Sequence, residues 1–101
     1  MNRLLLPLFL VLFASVGHAE DDPFAELKKG QPKDVAALVE RIAICTHLGG
    51  EEPYDDERAR ELAETGKQYR CGRLDADEAA LNKRHKGNAA VKKALQKAHD
   101  W

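Results

Sequence analysis

The chain has 101 residues, 17 acids against 16 Lys and Arg, and two cysteines. A formal net charge of −1 excludes the strongly basic character of a nucleic-acid-binding domain, and this length excludes more than one ordinary domain. Aromatic residues make up 6% and charged residues 33% of the sequence, so any hydrophobic core is small.

The first nineteen residues read as a secretory signal peptide. Arg3 supplies the positive start, and Leu4 to Phe13 form an apolar run too short to span a bilayer. Gly17 and Ala19 are small residues at the −3 and −1 positions of a cleavage before Glu20; an uncleaved N-terminal anchor is the alternative. No Cys follows the apolar run, so a lipoprotein is not indicated. The expected mature domain is residues 20–101, with 17 acids and 15 bases. Residues 20–64 hold 13 acids and 6 bases, and residues 65–101 hold 4 acids and 9 bases. Halves charged −7 and +5 attract in a hairpin-like fold, and such a dipolar surface steers charged partners.

Helical signals then follow in order. Asp22 as N-cap and Pro23 at the first helical position predict a short helix closed by Gly30. From Asp34 onward, Val35, Leu38, Ile42 and Cys45 recur at helical spacing with Val39 broadening the stripe. Gly49-Gly50 is expected to end that helix in the left-handed conformation. After Pro53, either Asp55 or Asp56 caps a second helix with Glu57 in its first turn. It runs toward Tyr69 with Leu62 on the same face, and Thr65-Gly66 weakens it midway. Asp75 and Glu78 are spaced as a capping box for a third helix, which frays at Gly87-Asn88. In the last helix Val91, Ala94, Leu95, Ala98 and Trp101 share one face. No stretch alternates with period two, so the predicted fold is all-α: a small bundle of three to four short helices with one disulfide.

That disulfide is expected between Cys45 and Cys71, because thiols in an exporting compartment are usually oxidised and a domain this small needs a staple. Closing the 26-residue separation stabilises by about 3.5 kcal/mol in a chain-entropy treatment. It also constrains packing. A tight antiparallel hairpin leaves Cys71 beside residue 34, about 16 Å from Cys45, whereas a disulfide needs Cα atoms within about 7 Å. Either the 49–55 loop is extended and the second helix crosses steeply, or that helix bends at Gly66. The extended loop, lying over the core, is the favoured solution.

The stretch CTHLGGEEPYDDER, residues 45 to 58, concentrates the chain's chemistry. In one reading it is a helix–helix corner: Cys45 is half a disulfide, His47 suits the helix C-terminus, Tyr54 packs, and Asp55 to Glu57 begin the next helix. A second reading is divalent metal binding through His47 and the acidic residues, with or without Cys45. The usual spacings are missing, however: there is no C-x₂-C, no H-x₃-H and no EF-hand pattern. The third reading is a partner-binding surface of Glu51, Glu52, Tyr54, Asp55 and Arg58 on a pinned loop.

The motifs CTHLGGEEPYDDER, RCGRLDADE and AVKKAL resemble those of a group of small secreted proteins of Gram-negative bacteria. These carry a C-x-H-x-x-G-E-E-x-Y-D-x-x-R pattern and a second Cys ahead of a helical tail. The resemblance spans most of the mature chain and implies export, and it brings no activity. A fainter similarity of C…LDADEAALNKRH is to helical lysozyme-inhibitor-like periplasmic proteins, although the spacing departs from theirs and those proteins carry more cysteines.

Catalysis is not expected. Ser15, the only serine, lies in the signal segment, so the mature chain has no serine triad. A catalytic cysteine would have to stay reduced, and C-x-x-C, haem-attachment and Gly-rich phosphate motifs are absent. Lys92, Lys93 and Lys97 lie opposite Val91, Leu95 and Trp101, which at first suggests a membrane-surface helix. The core needs those apolar residues, so stable membrane insertion is not expected, though the lysines can meet anionic envelope polymers. His85 and His99 accompany this basic half. Were His47 or His85 near the acidic loop, protonation would tighten a contact there. The expectation is a monomeric, periplasmic or secreted binding protein without a cofactor, its partner another protein or an envelope component. An inhibitor of an envelope hydrolase such as lysozyme is the first alternative and divalent metal binding the second.

Overall fold

The computed structural model describes residues 22–101, and the expected signal segment lies outside the described residues. Among the described residues five α-helices follow one another: α1 (Ala25–Lys28), α2 (Lys33–Gly49), α3 (Asp56–Gln68), α4 (Leu74–Arg84) and α5 (Ala89–His99). A 3-10 turn, Cys71–Arg73, joins α3 to α4. No strand occurs among the described residues. The fold is therefore all-α as expected; the four-residue α1 is the short helix foreseen before Gly30, and it takes the described helices to five, beyond the three to four of the expected bundle.

The central pillar is α2, whose apolar stripe buries Val35, Leu38, Val39, Ile42 and Ala43. Lying along it, α5 buries Val91, Ala94, Leu95 and Ala98. Two alanines on that face allow close approach of the two helix backbones. From α4 comes Leu81, and Leu27 of α1 and Leu74 pack at the edge. Burial of an aliphatic side chain of this kind stabilises by about 1.5–3 kcal/mol. By contrast α3 buries no residue at all. It is an outrigger beside the core, polar on most of its circumference, with Leu62 and Tyr69 half-buried.

Several local expectations change. The α2 terminus is right-handed, not left-handed: Gly50 has φ −91°, and its N–H donates to the carbonyls of Thr46 and His47. Helical geometry simply continues one residue further there, and among the described residues the left-handed glycines are Gly30 and Gly87. The capping box of Asp75 and Glu78 does not form, because α4 starts at Leu74 straight out of the 3-10 turn. Asp75 falls in the first turn, and Glu78 turns to His99. Asp22 is not the N-cap of α1, but its carboxylate accepts from the Phe24 N–H at 2.9 Å in the preceding turn. Trp101 lies past the end of α5, half exposed, with its ring 4.8 Å from that of Phe24. No described helix is long and apolar enough to cross a membrane.

Candidate functional site

Cys45, in the last third of α2, and Cys71, at the start of the 3-10 turn, lie at disulfide distance, with Cα atoms 5.7 Å apart. No free cysteine remains. Of the two geometries that permit this link, the bend at Gly66 is ruled out: α3 runs unbroken through Gly66 to Gln68. The Thr65 hydroxyl donates to the Glu61 carbonyl at 2.9 Å within that helix. The 51–55 segment is non-helical and Asp55 is extended at φ −160°. It does not lie over the core as expected. Tyr54 is 81% exposed, so its packing role fails too. The reason is composition: four of those five residues are acidic or proline, and nothing but Tyr54 gains from burial.

Arg58 fixes the corner. Its Nε donates to Glu51 Oε2 at 2.6 Å and its Nη2 to Glu51 Oε1 at 2.7 Å, a two-pronged fork across the loop. Nη1 reaches Glu61 Oε1 at 3.0 Å. Fork geometry of this kind matches carboxylate planarity. The Arg58 contact holds the Glu51 carboxyl below its usual range, with a smaller contribution from nearby His47. Glu51 and then Glu61 raise the Arg58 guanidinium further above its already high value. Asp55 is the N-cap, its carboxylate accepting from the Arg58 N–H at 2.8 Å; the choice between Asp55 and Asp56 is thereby made. Of the five candidate surface residues, then, Glu51, Asp55 and Arg58 bind one another, whereas Glu52 and Tyr54 face outward.

His47 sits exposed on the last turn of α2, its ring 6.4 Å from that of Trp101 in an edge-on arrangement. Phe24, Trp101 and His47 thus form a strip that leads toward Glu51. His85 is not part of this corner. Its Nε2 lies 3.0 Å from Asp34 Oδ2, at the opposite end of α2. Cys45 offers no thiolate to a metal while joined to Cys71, and no group of three metal-ligating side chains occurs among the described residues.

Arg41 escaped the sequence reading. From the middle of α2 its Nε donates to the Tyr69 carbonyl at 2.9 Å, and its Nη2 to the Arg70 carbonyl at 3.0 Å. Nη1 meets Asp77 Oδ2 at 2.9 Å. One guanidinium therefore closes the C-terminus of α3, supports Arg70 in its left-handed conformation at φ 51°, and ties both to α4. A signal was present: Arg41 is the single Lys or Arg between Lys33 and Arg58, set in an apolar run. Asp34 was missed as well. It accepts from Arg84 Nε at 3.1 Å beside the His85 contact, and His85 before Arg84 lowers its carboxyl below the usual range.

No protein-family model, curated protein or solved structure matches the chain. Its chemistry is read from its own residues.

Proposed function

We propose that this chain is an exported, periplasmic binding protein that holds its partner through the acidic corner after α2, and that it performs no catalysis. The observation that carries this reading is Tyr54. A tyrosine 81% exposed stands on a loop pinned at both ends, by the Glu51–Arg58 fork and by the Cys45–Cys71 link. Exposed aromatics on pre-ordered loops make effective anchors because little conformational freedom is lost on docking. Residues 51–64 hold seven carboxylates and two arginines. Arg58 pairs with Glu51 and Glu61 and offsets one of their two charges, and the outward acids favour a partner with a basic surface.

The test places a photo-crosslinking amino acid at position 54 of the protein expressed in the periplasm, with a second one at exposed Ala79 as control. A partner trapped at 54 and not at 79 is then purified and its affinity measured. Tyr54→Ala is expected to weaken binding by roughly 30-fold and Glu52→Lys to slow association, both with unchanged helicity. Equal affinity for the parent and both variants would remove the corner from consideration. A captured hydrolase that loses activity in the complex would narrow the reading to inhibition.

A further inference from the structure

A groove of about 730 Å³ runs between α4 and α5, against about 290 and 260 Å³ for two others on the molecule. Its size falls within the range of small-ligand clefts. Glu78 and His85 line it from α4 and the residue after it, Lys86 from the connecting turn, and Lys92, Leu95 and His99 from α5. Leu95, 3% exposed, gives it an apolar floor.

Charge is unevenly balanced there. Glu78, the one carboxylate in the lining, lies 2.7 Å from His99 Nε2 on the opposite wall. Lys86 and Lys92 have no carboxylate within 4.0 Å among the described residues. Two uncompensated ammonium groups beside an apolar floor, with the neighbouring acid already engaged, suit a ligand that is anionic at one end and apolar at the other. We infer that the α4–α5 groove binds an amphiphilic organic anion. Lys86 and Lys92 hold its phosphate or carboxylate head, and Leu95 and Ala89 receive the start of its apolar tail. This site is separate from the acidic corner and of opposite sign, so either can stand without the other. The same head chemistry occurs on a free metabolite and on a lipid.

The test uses the exported, disulfide-bonded protein and amide NMR at pH 7. Octyl phosphate below its micelle concentration is expected to give saturable shifts at Lys86, Gly87, Asn88 and Lys92. Its binding should be about tenfold tighter than that of inorganic phosphate, the contribution of a tail covered over one or two methylenes. Lys86→Glu and Lys92→Glu should each weaken octyl phosphate about fivefold, and Lys92→Gln somewhat less. Lys29→Glu, outside the groove lining, should change nothing. His99→Ala should also weaken binding, because it removes the side chain that engages the Glu78 carboxylate across the groove. Sedimentation with phosphatidylglycerol vesicles, lost in Lys92→Glu, would identify a lipid headgroup as the source. Binding of octyl phosphate without vesicle binding would identify a free anion. Absent or unsaturable shifts, or equal binding by the parent and the two glutamate variants, would overturn the inference.

Discussion

The most direct consequence of the architecture concerns α3. Thirteen residues long and without a buried side chain, it belongs to the size class that is marginal as an isolated helix in water. What holds it is the Cys45–Cys71 link, the Arg41 contacts to the Tyr69 and Arg70 carbonyls, and the Glu51–Arg58 fork. Replacing both cysteines by alanine removes a closure worth about 3.5 kcal/mol, a large part of the roughly 4–12 kcal/mol expected of a domain of this size. The loss should be local. The apolar contacts among α2, α4 and α5 do not involve α3, so the core persists while α3 opens to within about 2 kcal/mol of zero, a residual protection near 30-fold. Hydrogen exchange read by mass spectrometry measures this directly. In the double variant, peptides covering residues 57–68 should lose protection, while those covering 38–43 and 94–98 keep about a hundredfold or more. Far-ultraviolet ellipticity should fall by up to roughly a quarter, the share of α3 in the helical total. Protection of α3 equal to that of α2 in the variant would show that packing holds it. Simultaneous loss in both would show that the link supports the core itself.

Arg41→Ala should destabilise by about 2–3 kcal/mol, since two carbonyls and Asp77 lose a partly buried partner; Arg41→Lys should recover only part, lacking the fork. Thermal unfolding reads both, at about 4–8 °C per kcal/mol. Gly66→Ala, where an added Cβ meets nothing within 4 Å, should protect α3 by up to about 1 kcal/mol in hydrogen exchange. Gly87→Ala, at φ +81°, should cost about 1 kcal/mol by strain in the αL region. Asp22, Asp34 and Glu51 all titrate below their usual values: Asp22 chiefly through Lys28, Asp34 through His85 and then Arg84, Glu51 through Arg58. Depressed carboxyl values stabilise the folded state above the unfolded range near pH 4 and lose that contribution as pH falls through the folded values. The denaturation midpoint should therefore be level from pH 7 to about 5 and drop below pH 4. Asp34→Asn should flatten part of that drop.

The helices were legible because the forces that set them are local. Val35, Leu38, Val39 and Ile42 repeat at 3.6-residue spacing, as do Val91, Ala94, Leu95 and Ala98, and each set is buried as its period requires. Asp55 and Asn88 cap α3 and α5 by accepting from an N–H three residues on, the range over which a cap acts. Competing long-range contacts were not legible. Glu78 could face its own helix start or His99, 21 residues away, and nothing local chooses between them. The path of 51–55 was misjudged in a similar way: the link to Cys71 correctly demanded an extended segment, but extension says nothing about whether a segment lies on the core or leaves it. The acidic and proline composition of the segment decides that, and Arg58 then fixes the corner by holding Glu51, seven residues away.

The opposite charge of the two halves turns out to operate in two ways. Part of it is matched pairwise between the halves, as Asp34 is with Arg84, while Arg41 with Asp77 crosses the same boundary with the signs reversed. The partly buried Arg41–Asp77 pair is the less screened by salt of the two and helps fix how α4 sits against α2. Away from the core the charge is left over. Acids remain on the 51–64 corner, which the core does not cover, and lysines remain along the α4–α5 groove. A surplus that plays no part in holding the fold still costs self-repulsion within each patch. An opposite charge arriving from outside relieves it. The acidic corner and the basic groove are therefore where association gains most, and since each faces solvent, its strength should fall as ionic strength rises while the apolar core and the Cys45–Cys71 link keep the fold unchanged.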